Sequence, residues 1–273
     1  MLKRPAAACC LLLGAFALAA DQAKPDPKEA ILRRFVEEFV PLKPGTDPHP
    51  ASFKMGSEGD VPAAEKPAHA VTFKYAFAMA KYEVTQELFG TVMGQNPSKW
   101  KGPRNSVDKV TWAEANEFCR KATAELRLLK LIGGNEVIRL PTEAEWEYAC
   151  RAGTTTRYSF GDDPAGLKDY AWFKENSKGE DPPVGKKKPN AWGLYDMHGY
   201  IWEWCQDAWH PSYEGAPADG SARDAKDAKE RVLRGGAWPD PADMCRSAYR
   251  FKAAVDVKSD AIGFRCVRAD EKK

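Results

Sequence analysis

The stretch Asn190–Cys205, NAWGLYDMHGYIWEWC, carries more information about this chain than any other. Its last part, Ile201-Trp202-Glu203-Trp204, alternates as a half-buried β-strand does. Trp202 and Trp204 then share one face, and Ile201 and Glu203 share the other. A carboxylate beside isoleucine on so tryptophan-rich a strand is at least partly desolvated. Burying that charge is costly unless an arginine, hydrogen-bond donors or a metal ion compensates it. Just upstream, Asp196-Met197-His198-Gly199 reads as a turn that brings a second carboxylate toward the first. Two carboxylates bracketing a glycine turn, with carbonyls between them, suit a hard cation such as calcium. The competing partner for Glu203 is a buried arginine, with Arg246, Arg250 and Arg265 the candidates.

Outward from this stretch, local signals place helices before it and irregular chain around it. Thr111-Trp112-Ala113-Glu114 and Thr142-Glu143-Ala144-Glu145 are capping boxes, each starting a helix. Val71, Phe73, Tyr75, Phe77 and Met79 alternate over nine residues, which predicts a strand or hairpin arm. Near the N-terminus, Asp26-Pro27-Lys28-Glu29 offers an N-cap, a first-turn proline and a reciprocal glutamate. Ile31, Leu32, Phe35, Val36 and Phe39 follow at helical spacing, and Pro41 with Gly45 stops the run. That apolar stripe docks on the main domain or binds a partner. After Arg151 the chain reads as short strands and glycine- and proline-punctuated loops. Two helices beside small sheets with much irregular chain predict an α+β domain.

Four motifs also resemble, in order, those of the formylglycine-generating enzyme family, the sulfatase-modifying factors. They are Arg139–Ala149 (RLPTEAEWEYA), the GLYDM-to-WEW segment, Val232–Trp238 (VLRGGAW) and Ile262–Arg265 (IGFR). Phe53–Ser57 and Tyr82–Thr85 fit the usual start of that domain. The resemblance implies a C-type-lectin-like α+β fold over about residues 50–270, after a 1–20 signal peptide and a proline- and charge-rich segment over 21–49. It implies disulfides Cys119–Cys266 and Cys150–Cys245. It also implies a calcium site using the Asp196 side chain, the carbonyls of Gly199 and Ile201, and the Glu203 carboxylate. Tyr200 departs from the family, which usually has asparagine there. The family's other calcium site begins at an asparagine whose position here is Trp172, so that site is not carried over.

The family's oxidases hold copper with two cysteines in the loop after the RGG strand and convert a sulfatase cysteine to formylglycine. Here that loop, Pro239–Met244, contains no thiol. Soft thiolates are what bind Cu(I), and Asp240 and Asp243 do not replace them. No catalytic residue is therefore assigned, and copper is not expected. Cys245, at the loop's end, matches the family's structural cysteine, and Cys205 reads as a buried hydrophobe. The four histidines show no metal-binding spacing, and His198 is expected to face solvent from its turn.

Composition and the N-terminus set the remaining bounds. A net charge of +2, with no basic stripe, gives no case for nucleic acid, and Lys186-Lys187-Lys188 reads as a solvated turn. Lys3 and Arg4, the apolar run Ala6–Ala20 and Ala17-Leu18-Ala19 make a cleavable export signal. No other stretch is apolar enough to span a membrane. The expected destination is periplasmic or extracellular, where five cysteines remaining after cleavage predict pairs plus one leftover thiol. The expected role is recognition of a protein, peptide or small ligand in a groove near Trp204, Trp238 and Tyr249. The alternative is an enzyme of the formylglycine-generating type modifying an exported protein such as a sulfatase. A structural envelope component is a third class.

Overall fold

The computed structural model describes residues 1–2, 26–225 and 227–271; the expected export signal lies outside them. The first element is the predicted helix α1 (Pro27–Glu37), whose cap Asp26 accepts a hydrogen bond from the Lys28 N–H at 3.0 Å. It stops earlier than the apolar spacing suggests. Phe39 belongs instead to strand β1 (Phe39–Leu42), which pairs antiparallel with β4 (Phe77–Ala80). Leu32 and Phe35 are buried, and the Phe35 ring meets Phe39 and Phe118, so the stripe docks on the domain.

Strand β4 is the hinge of the first sheet. It lies between β1 and β10 (Val267–Asp270), and β10 pairs on its other side with β5 (Glu136–Arg139). A domain boundary near residue 50 is thus at odds with the sheet, because β1 belongs to it. The nine-residue alternation from Val71 to Met79 is also two strands rather than one. β3 (His69–Thr72) pairs with β2 (Ser52–Met55), and the chain changes sheets over residues 73–76 before β4 begins. Alternation continues across the break because Phe73 and Phe77 both pack against Tyr148.

Helices α2 (Gln86–Met93), α3 (Trp112–Leu128) and α4 (Glu143–Arg151) flank this sheet. Both expected capping boxes form completely, at Thr111/Glu114 and Thr142/Glu145, each cap contributing about 1 kcal/mol. The second sheet has the order β8-β7-β6-β9, from Phe251–Ala254, Glu230–Arg234, Trp202–Ala208 and Ile262–Gly263. Strand β6 is covered on both faces and not half-buried. Trp202 and Trp204 face the core that contains Phe118 and Phe264, while Glu203 lies toward Trp146 of α4. Helices and mainly antiparallel sheets, with β9 parallel to β6, pack around shared cores and make the expected α+β architecture. Among the described residues, no helix is long and apolar enough to cross a membrane.

Candidate functional site

The turn before β6 is built by close backbone approaches. A Cβ on Gly199 would meet the Trp172 carbonyl at 2.5 Å, so only glycine fits there. Asp196 and Tyr200 take positive φ values of 57° and 75°. That conformation is cheap for aspartate and strained for an aromatic residue. Tyr200 is held in place by its hydroxyl, whose single proton is shared between Asp181 and the Pro182 carbonyl and which accepts from the Ser106 N–H.

Glu203, fully buried, is paired with arginine. Arg265 holds it through Nε at 2.6 Å and a terminal nitrogen at 2.7 Å, and the Trp146 indole donates at 2.8 Å. Its expected role as an ion ligand therefore gives way to a bidentate ion pair. Asp196 behaves differently. One oxygen accepts the Gly185 N–H at 2.7 Å, while the other is buried without a partner. Both oxygens of buried Glu83 are likewise unpartnered, with Arg265 3.8 Å away. Burial, reinforced by Asp196, pushes the Glu83 carboxyl well up. Burial also raises Asp196 to about 6, against the Gly185 hydrogen bond. Three carboxylates thus share one guanidinium. Among the described residues no three acidic, histidine or cysteine side chains converge as a ready metal cage. The unsatisfied oxygens that suit a hard cation belong to Asp196 and Glu83, not to Glu203.

Glu83 lies outside the predicted calcium set and joins the site by packing. The signal was present in Tyr82-Glu83-Val84-Thr85: an acid between apolar residues just before the Thr85 cap.

The five described cysteines are all buried thiols. Cys119 and Cys266 face each other with sulfurs 3.9 Å apart, joining α3 to the segment before β10. The Cys150 sulfur instead lies against the Met197 carbonyl and the His198 ring, and Cys245 against the Pro241 carbonyl. Burial raises the Cys150 thiol to about 12 and pushes Cys205 and Cys245 well up. A thiol held protonated is a poor nucleophile and a poor copper ligand. A Cβ on Gly236 would lie 2.7 Å from the Cys245 sulfur, so the RGG glycine is what lets that cysteine pack inward. His198 does not face solvent. It is 2 % exposed, with Nδ1 donating to the Cys245 carbonyl and Nε2 accepting from the Ser159 N–H. Burial lowers its pKa to about 4, so it is neutral.

The expected groove is not assembled around its three aromatics. Trp204 is fully buried, its indole donating to the Val110 carbonyl. Trp238 and Tyr249 are half-buried; the Trp238 indole donates to the Asp260 carbonyl, and Arg246 covers the Tyr249 ring. A cavity of about 520 Å³ lies elsewhere, between the loop after β2, residues 155–162 and residues 243–248.

Comparison with known proteins accounts for this arrangement. The description "Sulfatase-modifying factor enzyme 1-like domain" matches residues 33–270. The chain belongs to that family. The match begins ahead of β1, in keeping with the place of that strand in the sheet. The formylglycine-generating enzyme of Streptomyces coelicolor is 34 % identical over 184 residues, 60 % of this chain and 52 % of that enzyme. The chain thus spans about half the length of that relative. Chaperone protein LppX of Paenibacillus barcinonensis is 31 % identical, covering 71 % of this chain and 80 % of its own. Among solved structures, PvdO from Pseudomonas aeruginosa superposes with a TM-score of 0.71 at 31 % identity, covering 80 % of this chain and 91 % of PvdO. The sulfatase-modifying-factor domain, a C-type-lectin-like variant of the α+β class, is therefore the fold of this protein.

Proposed function

We propose that this sulfatase-modifying-factor domain is an exported, calcium-stabilised binding module without the family's copper-dependent oxidase chemistry. The observation that carries this reading is the loop after β7. Pro239–Met244 supplies no thiol, and Cys245 at its end is fully buried. Calcium, in this reading, balances the excess carboxylate charge, held by Asp196 and Glu83. Cys119–Cys266 closes as a disulfide in the oxidising compartment; Cys150 and Cys245 form the second expected pair. The similarity to a protein named as a chaperone supports binding over chemistry. Recognition then falls to the charge-lined cavity instead of the aromatic groove.

The similarity to a formylglycine-generating enzyme favours a second reading, an oxidase acting on an exported protein. One assay separates them. Copper-loaded protein, oxygen and reductant are supplied with a Cys-x-Pro-x-Arg peptide beside the S. coelicolor enzyme as control. The binding reading expects no aldehyde above background. Aldehyde formation lost in Cys245→Ser or Cys205→Ser would establish the oxidase.

A further inference from the structure

The 520 Å³ cavity has the size of a small-ligand site, but its lining is unusual for one. No aromatic ring lines it, and its apolar contribution stops at small side chains such as Val61, Pro62 and Ala248. Its floor is formed by two guanidiniums that water barely reaches, Arg151 and Arg246, 5 % and 4 % exposed.

Both are fixed from behind. Arg151 donates to Glu147 at 2.8 Å and to the carbonyls of Thr156 and Gly56, which leaves two of its five N–H groups uncommitted. Arg246 is gripped by fully buried Glu65 through two bonds of 2.7 Å and by Asp243 on the rim. Guanidiniums immobilised in this way have little conformational freedom left to lose on binding a carboxylate. The exposed rim carries both signs, but its cations are already paired, Lys54 with Glu58 and Arg157 with Asp243. Asp60 is exposed there and, among the described residues, makes no hydrogen bond or ion pair.

Four cationic and four acidic side chains line the cavity in all. A simple anion would be drawn to the floor and repelled at the rim, and a simple cation the reverse. A ligand bearing both charges meets complementary groups at both ends. We propose that this cavity binds a small zwitterion of the α-amino-acid class, free or as a short peptide with both ends unblocked. Its carboxylate faces Arg151 and Arg246, and its ammonium faces Asp60. The proposal rests on the binding-module reading and names the ligand class of that same site.

Calorimetric titration of the whole chain tests it, with triglycine, N-acetyl-triglycine, triglycine amide, inorganic phosphate and the twenty free amino acids. Binding of triglycine or of a free amino acid is expected, and which of the two binds distinguishes the sources. Acetylating the amine or amidating the carboxylate of the bound ligand should weaken it about tenfold or more, about 1.4 kcal/mol. Asp60→Asn, an exposed change that leaves the melting temperature unaltered, should weaken the free-amine ligand and leave the blocked one unchanged. No binding across the panel, equal binding of blocked and unblocked forms, or tighter binding of phosphate would each overturn the proposal. The aldehyde assay reports on the non-catalytic reading alone, so failures of the two ideas can be told apart.

Discussion

Helix α4 and the Asp196 turn each bury three carboxylates, and they settle the charge in different ways. On α4, Glu143 is held by Arg250 and Arg234, Glu145 by Arg139, and Glu147 by Arg151 and Arg234. Burial pushes Glu147 up, but the two arginines and the Gly56 N–H outweigh it and leave its pKa lowered. Around the turn, Glu83, Asp196 and Glu203 share Arg265, and three carboxylate oxygens find no partner. In the first region every carboxylate has at least one arginine partner, although the buried Arg234 Nε–H finds no acceptor among the described residues. The second is left with uncompensated carboxylate charge, which in the proposed reading a calcium ion balances, and that is where ligand binding and stability would become linked.

The largest expected effect comes from breaking the balanced region. Arg234→Leu leaves Glu147 and Glu143 short of a partner and should cost about 3–5 kcal/mol in urea unfolding. A loss below about 1 kcal/mol would mean that the α4 network is not the closed system described. Asp207, on β6 beside α4, tests the comparison from the other side, because only backbone N–H groups, those of Glu143 and Arg223, hydrogen-bond it. Burial, with Glu143 adding to it, raises its pKa to about 7. A carboxyl raised in the folded state stabilises fully below its unfolded value of about 4, and that contribution disappears as pH climbs through the folded value. The Asp207 contribution should therefore fall by on the order of 3 kcal/mol between pH 4 and 7, read as the difference between the stability profiles of wild type and Asp207→Asn.

Calcium sharpens the contrast. At a hundredfold excess over Kd it should stabilise the wild type by about 2.7 kcal/mol, read as a rise in melting temperature. Asp196→Asn and Glu83→Gln should remove that response, while Glu147→Gln keeps it. Equal responses in all four proteins would dissolve the distinction between the regions. The smallest effect belongs to the surface pair Lys252–Glu230, 2.8 Å apart and more than two-fifths exposed on both sides. Glu230→Gln should change stability by less than about 0.5 kcal/mol.

The sequence made the helix starts and the WEW strand legible because they are written locally, in Thr111, Thr142 and the alternation from Ile201 to Trp204. It also narrowed the Glu203 partner to three arginines, one of which, Arg265, is the one found. It did not separate β3 from β4, because alternation says nothing about which sheet receives each half. It placed Trp204 in a groove because aromatic residues on strands are ambiguous between core and surface until the opposite layer is known. Here Val107, Val110 and Ala115 provide that layer. His198 was misplaced for a related reason: a turn histidine is exposed only if nothing packs over the turn, and Tyr158, Phe160 and Ser159 do. Glu83 and Arg246 were out of reach because their meaning depends on Arg265 and Glu65, more than 90 residues away in sequence.

Strand β1 also bears on how the protein can be handled. Phe77–Ala80 is buried along its whole length, with β1 covering one side and β10 the other. A protein shortened to begin at residue 50 would present the β1 side of β4 as an open edge, with unpaired N–H and C=O groups beside Phe77 and Met79. Such an edge recruits other chains. The N-terminal helix and its strand therefore act as an aggregation guard, and any trimming or cleavage that keeps the protein dispersed has to fall before Asp26.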